Sequence, residues 1–176
     1  MSASTTPDAV ALLKADHRKV EDLFAKFEAA KGDGRKKALA EEICMELTLH
    51  TKIEEDVFYP ACEGVVEESL LKEAYVEHDG AKLLIAEIEA GGPDDAFYDA
   101  KVKVLSEQIE HHVKEEEQRV EGMFSQARKA GLDMDKLGER MAQEKAQLMA
   151  TYKASGTPTP DTVTLSATEI GRPVGV

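Results

Sequence analysis

Apolar residues recur at steps of three and four along most of the chain. Val10, Leu13, His17, Val20, Phe24 and Phe27 form the first stripe, with a histidine inside it. Thr6-Pro7-Asp8 reads as its start, with Thr6 as N-cap and Pro7 at the first helical position, and Lys31-Gly32-Asp33-Gly34 ends it. A second stripe runs through Leu39, Ile43, Leu47, His50, Glu54 and Val57, and Pro60 is expected to stop it. The third carries Leu71, Ala74, His78, Ala81, Ile85 and Ile88. The fourth and longest, from about Asp94 to Ala130, carries Leu105, Ile109, His112, Glu116, Val120, Met123 and Ala127. Turn signals at Ala61–Gly64 and Gly91–Asp95 separate these segments. Asp133 caps a shorter fifth helix reaching about Lys153, with Leu137, Met141 and Leu148 on one edge.

No segment reads as a strand. The pattern predicts an all-α fold, an up-down-up-down four-helix bundle with an additional short C-terminal helix and a flexible tail. Residues 1–6 are expected to be a flexible N-terminus, 7–153 the bundle with its extra helix, and 154–176 a disordered tail, because Ser155-Gly156-Thr157-Pro158-Thr159-Pro160 breaks all periodicity.

Composition narrows the function. The formal charge of -13 over 176 residues argues against nucleic acid or an anionic membrane as partner. It also suits a chain whose carboxylates await cations. No apolar run approaches the ~20 residues of a membrane span, and the polar N-terminus has no apolar leader core. Cys44 and Cys62 form no disulfide framework and no Cys-x-x-Cys pair, which points to a reduced, cytoplasmic setting.

The chemistry lies in the histidines. His50-x-x-x-Glu54 and His112-x-x-x-Glu116 each stack an imidazole over a carboxylate on one helix face, about 6 Å apart. That spacing alone is weak evidence in so acidic a chain. Turn position is stronger. Residues of an antiparallel hairpin lie side by side when the turn sits midway between them. The midpoint between His17 and His50 falls inside Gly32-Asp33-Gly34, that between His50 and His78 on Gly64, and that between His78 and His112 inside Gly92–Asp95. All three are turns already identified, so the four histidines should share one layer of the bundle. A buried layer of four imidazoles and two carboxylates needs a partner, and a metal supplies one. His112 is preferred to His111 because its register joins Leu105, Ile109 and Met123; His111 and Glu115 fall on the flank. Glu55 and Glu117 read as solvated charges, with support of a ligand from behind as the alternative.

Imidazole and carboxylate donors without thiolate suit iron or manganese, with zinc a further candidate. The ordered pattern His17, His50-x-x-x-Glu54, His78, His112-x-x-x-Glu116 resembles the hemerythrin-type HHE cation-binding domain over about residues 8–130. The resemblance implies two non-haem iron ions joined by carboxylates and an oxo or hydroxo bridge. His17 and His50 would hold one ion, His78 and His112 the other, and Glu54 and Glu116 would span both. It also implies dioxygen or a related small molecule as ligand; two ions with open positions would react with dioxygen, peroxide or nitric oxide, which makes peroxide breakdown or ferrous-iron oxidation the enzymatic alternative.

Two departures stand out. Oxygen-carrying members have a second histidine one turn from the third-helix histidine, whereas Ala74 and Lys82 flank His78 here. Water, Glu21, Glu77 or Tyr75 would have to fill that place, and a more open ion favours sensing or peroxide chemistry over oxygen carriage. The second motif also lacks the Phe58-Tyr59-Pro60 ending of the first, reading Gln118-Arg119-Val120-Glu121 instead. A third expectation is an interaction bundle that docks a protein partner through the tail ending in Ile170-Gly171-Arg172-Pro173-Val174-Gly175-Val176.

Overall fold

The computed structural model describes residues 6–165. Helix α1 (Ala9–Ala29) is capped by Asp8, whose Oδ1 accepts the Ala11 N–H at 2.9 Å. The cap therefore sits two residues later than Thr6. Both Asp8 carboxylate oxygens also accept from Arg128 at 2.9 Å, which ties the start of α1 to a much later segment of the chain. Gly32, at φ 88°, turns the chain into α2 (Asp33–Ile53), a conformation that side-chain-bearing residues avoid.

The second rod does not end at Pro60. It passes through a π-helical turn (Glu54–Phe58) into α3 (Tyr59–Cys62). In that turn the Tyr59 N–H reaches back to Glu54 O. Pro60 thereby stands in the first turn of a fresh α segment, where its missing N–H costs nothing.

Helix α4 spans Glu68–Gly91, and after a short 3₁₀ turn α5 spans Tyr98–Glu117. The expected single helix to Ala130 is broken after Glu117. Gln118 is extended at φ -54°, ψ 130°, and α6 (Met123–Lys129) restarts five residues on. Burial explains the break. Met123, Phe124 and Ala127 are folded under the bundle and are buried, while Val120, expected in the core, is 65% exposed. The Phe124 ring stacks on His17 with centroids 5.9 Å apart. Helix α7 (Met134–Ser155) is capped by Asp133, which accepts the Lys136 N–H at 3.0 Å, and packs along α1 and α2.

The core has two apolar halves. One gathers Leu13, Ile53, Phe58, Met123 and Met141; the other gathers Phe24, Ile43, Leu47, Ile85 and Leu105. Buried histidines and glutamates lie between them. No strand occurs among the described residues, and no described helix is long and apolar enough to cross a membrane.

Residues 156–165 follow α7 without helical structure, and their far end is held down. The backbone N–H groups of Val163, Thr164 and Leu165 all donate to Asp79 on α4. The proposed docking residues Ile170–Val176 lie outside the described residues.

Candidate metal centre

Four rods deliver one imidazole each to the layer between the apolar halves. His17 comes from α1, His50 from α2, His78 from α4 and His112 from α5, all at most 4% exposed. They meet in two pairs. His17 Nε2 lies 3.2 Å from His50 Nε2, and His78 Nε2 lies 3.2 Å from His112 Nε2. Each carboxylate faces one ring of each pair. Glu54 Oε2 is 3.2 Å from both His50 Nε2 and His78 Nε2. Glu116 reaches His17 Nε2 with Oε2 at 3.3 Å and His112 Nε2 with Oε1 at 3.4 Å. The six residues expected from sequence are thus together. Ligand atoms of His17, His50, Glu54 and Glu116 all lie within 4.8 Å of one another, as do those of Glu54, His78 and His112.

The outer ring nitrogens face carboxylates. His17 Nδ1 is 2.7 Å from Glu117, His78 Nδ1 3.0 Å from Glu55 and His112 Nδ1 2.7 Å from Glu77. His50 Nδ1 faces Asp16 at 3.5 Å, a looser approach that leaves both atoms without a hydrogen bond. An ionised carboxylate only accepts, so on His17, His78 and His112 Nδ1 carries a proton, and in the neutral ring Nε2 turns a lone pair inward. Glu55 and Glu117 therefore take the alternative role, behind a ligand ring, and are not solvated charges. They stand one residue beyond Glu54 and Glu116, about 100° round the helix, and reach the ring of a neighbouring helix.

One residue was missed. Tyr59 Oη lies 2.9 Å from Glu116 Oε1, 3.0 Å from His78 Nε2, 3.4 Å from Glu54 Oε2 and 3.5 Å from His112 Nε2. Its fully buried ring stacks on His78, centroids 5.1 Å apart. The residues expected to fill the place beside His78 are elsewhere. Glu21 is exposed and pairs with Arg18; Glu77 holds His112 from outside; Tyr75 packs edge-on against Tyr59 one layer out. Lys82, one turn from His78, holds Glu55 at 2.8 Å and is no donor to the centre. The signal for Tyr59 was the Phe58-Tyr59-Pro60 sequence, but only the π-turn brings its hydroxyl inward.

Burial and the two facing glutamates dominate the electrostatics of this layer. Burial and the facing Glu116 carboxylate push the Glu54 carboxyl well above the usual range. Burial would raise Glu116 too, but the rings of His112 and His17 outweigh it and hold Glu116 low. Burial lowers His17, yet Glu116, Glu54 and Glu117 together draw it upward. Burial brings His50 down to about 4. Burial and the two glutamates raise the Tyr59 phenol well above its ordinary value. Glu54 Oε1 and Glu116 Oε2 are buried without a hydrogen-bond partner. Orphaned carboxylate oxygens beside inward lone pairs are a donor set that a cation would satisfy. A cavity of about 10 Å³, lined by the four imidazoles with Val20, Leu47, Ile109 and Val113, adjoins the layer.

His111 is 60% exposed and pairs at 3.3 Å with Glu77 and Glu115, on the flank as its register predicts.

A solved hemerythrin HHE cation-binding domain-containing protein from Mycobacterium kansasii, a homolog of Rv2633c, superposes with a TM-score of 0.69 at 23% identity, covering 86% of this chain and 95% of that one. A protein of Nostoc sp. strain PCC 7120 described as a DNA nickase is 28% identical over 106 residues, 60% of this chain; the match spans 30% of that protein's length. The sequence profile of the hemerythrin HHE cation-binding domain matches residues 8–124. With that match over most of its length, and with buried histidine and glutamate clusters able to hold metal, the chain belongs to the hemerythrin HHE cation-binding family.

Proposed function

We propose that the protein holds two iron ions, one on His17 and His50, the other on His78 and His112, with Glu54 and Glu116 spanning the pair. One observation carries this reading. Each carboxylate lies against one histidine of each pair, which is the relation a bridging ligand requires. Tyr59 Oη lies 3.0 Å from His78 Nε2 and would offer an oxygen donor on that side. When bound, such a metal pair supplies redox chemistry toward dioxygen, peroxide or nitric oxide. The chain's own part is to hold the rings of His17, His78 and His112 in one tautomer and leave a small space beside the layer. The ligand class of this reading is dioxygen, peroxide or nitric oxide.

Metal analysis after anaerobic loading with ferrous iron should find about two irons per chain, with near-ultraviolet absorption that grows on exposure to air. Less than one iron per chain overturns the reading.

The Tyr59 hydroxyl, an O–H 3.0 Å from His78 Nε2, favours a second reading in which the centre turns over peroxide. Oxygen evolution that survives His112→Ala would reject it. The reading includes a reducing compartment, the cytoplasm; the buried, unpaired thiols of Cys44 and Cys62 support it.

A further inference from the structure

Asp79 follows His78 on α4 and is completely buried, yet it is not among the groups around the metal layer. Its partners come from the far end of the chain. Both carboxylate oxygens accept the Val163 N–H at 2.9 Å; Oδ2 also takes the Thr164 hydroxyl at 2.7 Å, the Leu165 N–H at 2.9 Å and the Thr164 N–H. Three consecutive backbone amides on one carboxylate form an anion-holding concavity. Ordering that stretch of chain costs entropy, which these charge-assisted bonds must offset.

The carboxylate they hold is linked to the metal layer. Lys82, 4% exposed, lies between two anions, with Asp79 Oδ1 at 3.3 Å and Glu55 at 2.8 Å. Glu55 Oε1 in turn faces His78 Nδ1 at 3.0 Å. Residues Pro158–Val163 also roof a cavity of about 390 Å³ that contains Glu55, Lys82 and Tyr75. One buried cation thus serves two carboxylates. With its oxygens filled by the backbone of residues 163–165, Asp79 leaves Lys82 free to hold Glu55 in place. Without those donors Asp79 would draw Lys82 toward itself, water would enter the cavity, and Glu55 would lose the cation that fixes it under the ring.

We propose that residues 158–165 are a strap that positions His78, acting through Asp79, Lys82 and Glu55. Asp79 and Lys82 are its positioning residues. The proposal rests on His78 serving as a metal ligand, and its test separates the two claims.

The test compares the full chain, a chain truncated after Thr157, the Asp79→Asn variant and the combination of both. In metal-free protein, nitrogen NMR of the His78 ring should show a single Nδ1–H tautomer in the full chain and a mixture in the other three. The combined variant should be no worse than either change alone, because both break the same link. In iron-loaded protein, chelator challenge should remove one iron of the two about tenfold or more faster from the truncated chain, with the other unaffected. Helical circular dichroism should not change. A single His78 tautomer in the truncated chain overturns the proposal, whether or not the protein binds iron. Equal release of both irons from truncated and full chains overturns it too, and leaves the two-iron reading intact. Failure of the full chain to bind iron defeats that reading alone, and the metal-free tautomer still decides the strap.

Discussion

Tyr59 Oη and Glu54 Oε2 lie 3.4 Å apart, although the two residues are five positions apart on one rod. On an uninterrupted α-helix that separation would turn them about 140° from each other. The π-helical turn Glu54–Phe58 inserts the extra residue that brings Tyr59 onto the face of Glu54 and delivers its hydroxyl to Glu116 and His78. Tyr59→Phe removes that hydroxyl from a buried site, so metal-free stability should fall by about 1–3 kcal/mol. Urea denaturation measures it. Tyr75→Phe should stay within about 0.5 kcal/mol, since the Tyr75 hydroxyl has no protein partner among the described residues. Equal losses from the two variants would show that the phenol at position 59 makes no special contact.

The bundle and its histidine layer were legible because they depend on two coarse signals, a 3.6-residue apolar period and the positions of glycine-rich turns. A midpoint between His50 and His78 tolerates a local irregularity. The π-turn does not appear in such a pattern, since one extra residue leaves the stripe through Leu47, His50 and Glu54 unchanged and shifts only the positions C-terminal to it. Tyr59 was lost for that reason. The break after Glu117 was hidden because Met123 and Ala127 continue the apolar spacing of α5 by coincidence, although they reach the core by folding back. Glu55 and Glu117 were misread because their partners, His78 and His17, stand on other helices. The hold of Asp79 on residues 163–165 joins positions more than eighty residues apart and has no local sequence signal.

The Glu54–Glu116 pair makes the metal-free protein sensitive to pH. Burial and the neighbouring carboxylate raise the folded-state pKa of Glu54 above its unfolded value. The stability linked to this group is therefore fully present below the unfolded value near 4.5 and is lost as pH rises through the folded one. Metal-free wild-type protein should be less stable to urea at pH 8 than at pH 5, and Glu54→Gln should flatten that slope. The same variant should abolish the gain in melting temperature on adding ferrous iron. That gain should correspond to about 4 kcal/mol when free metal exceeds its Kd a thousandfold. A slope unchanged in Glu54→Gln would place the buried charge elsewhere.

The outer carboxylates set the rings, so removing one should weaken metal without unfolding the bundle. Glu117 faces His17 Nδ1 at 2.7 Å and also takes Arg18 at 2.7 Å; Glu77 faces His112 Nδ1 at 2.7 Å. Glu117→Gln and Glu77→Gln should each lower iron affinity by roughly 10–100-fold, as read in competition with a chelator. Glu110→Gln, on an exposed face of α5, should change it less than about twofold. Affinity unchanged in both ring-facing variants would show that packing alone orients the imidazoles.

Gly138 lets α7 approach the start of α1. A Cβ there would stand 2.3 Å from Pro7 O and 2.8 Å from Ala9 N and the Asp8 carbonyl carbon, all backbone atoms that cannot swing aside. Two effects oppose each other in Gly138→Ala. Alanine favours the helix interior by about 1 kcal/mol. Overpacking against fixed backbone costs about 1–3 kcal/mol. The clash should win, because α7 would have to move away from α1 along its length. That movement has a consequence at the centre: Lys145 on α7 pairs with Asp16, and Asp16 faces His50 Nδ1. Gly138→Ala should therefore lose about 1–2 kcal/mol in urea denaturation and also loosen metal on the His17–His50 side. Gly34→Ala is the control, because a Cβ there meets nothing within 4 Å and its backbone is already helical. It should gain up to about 1 kcal/mol and leave metal affinity alone. Opposite signs for two identical substitutions would assign the loss to the α7–α1 contact rather than to helix propensity.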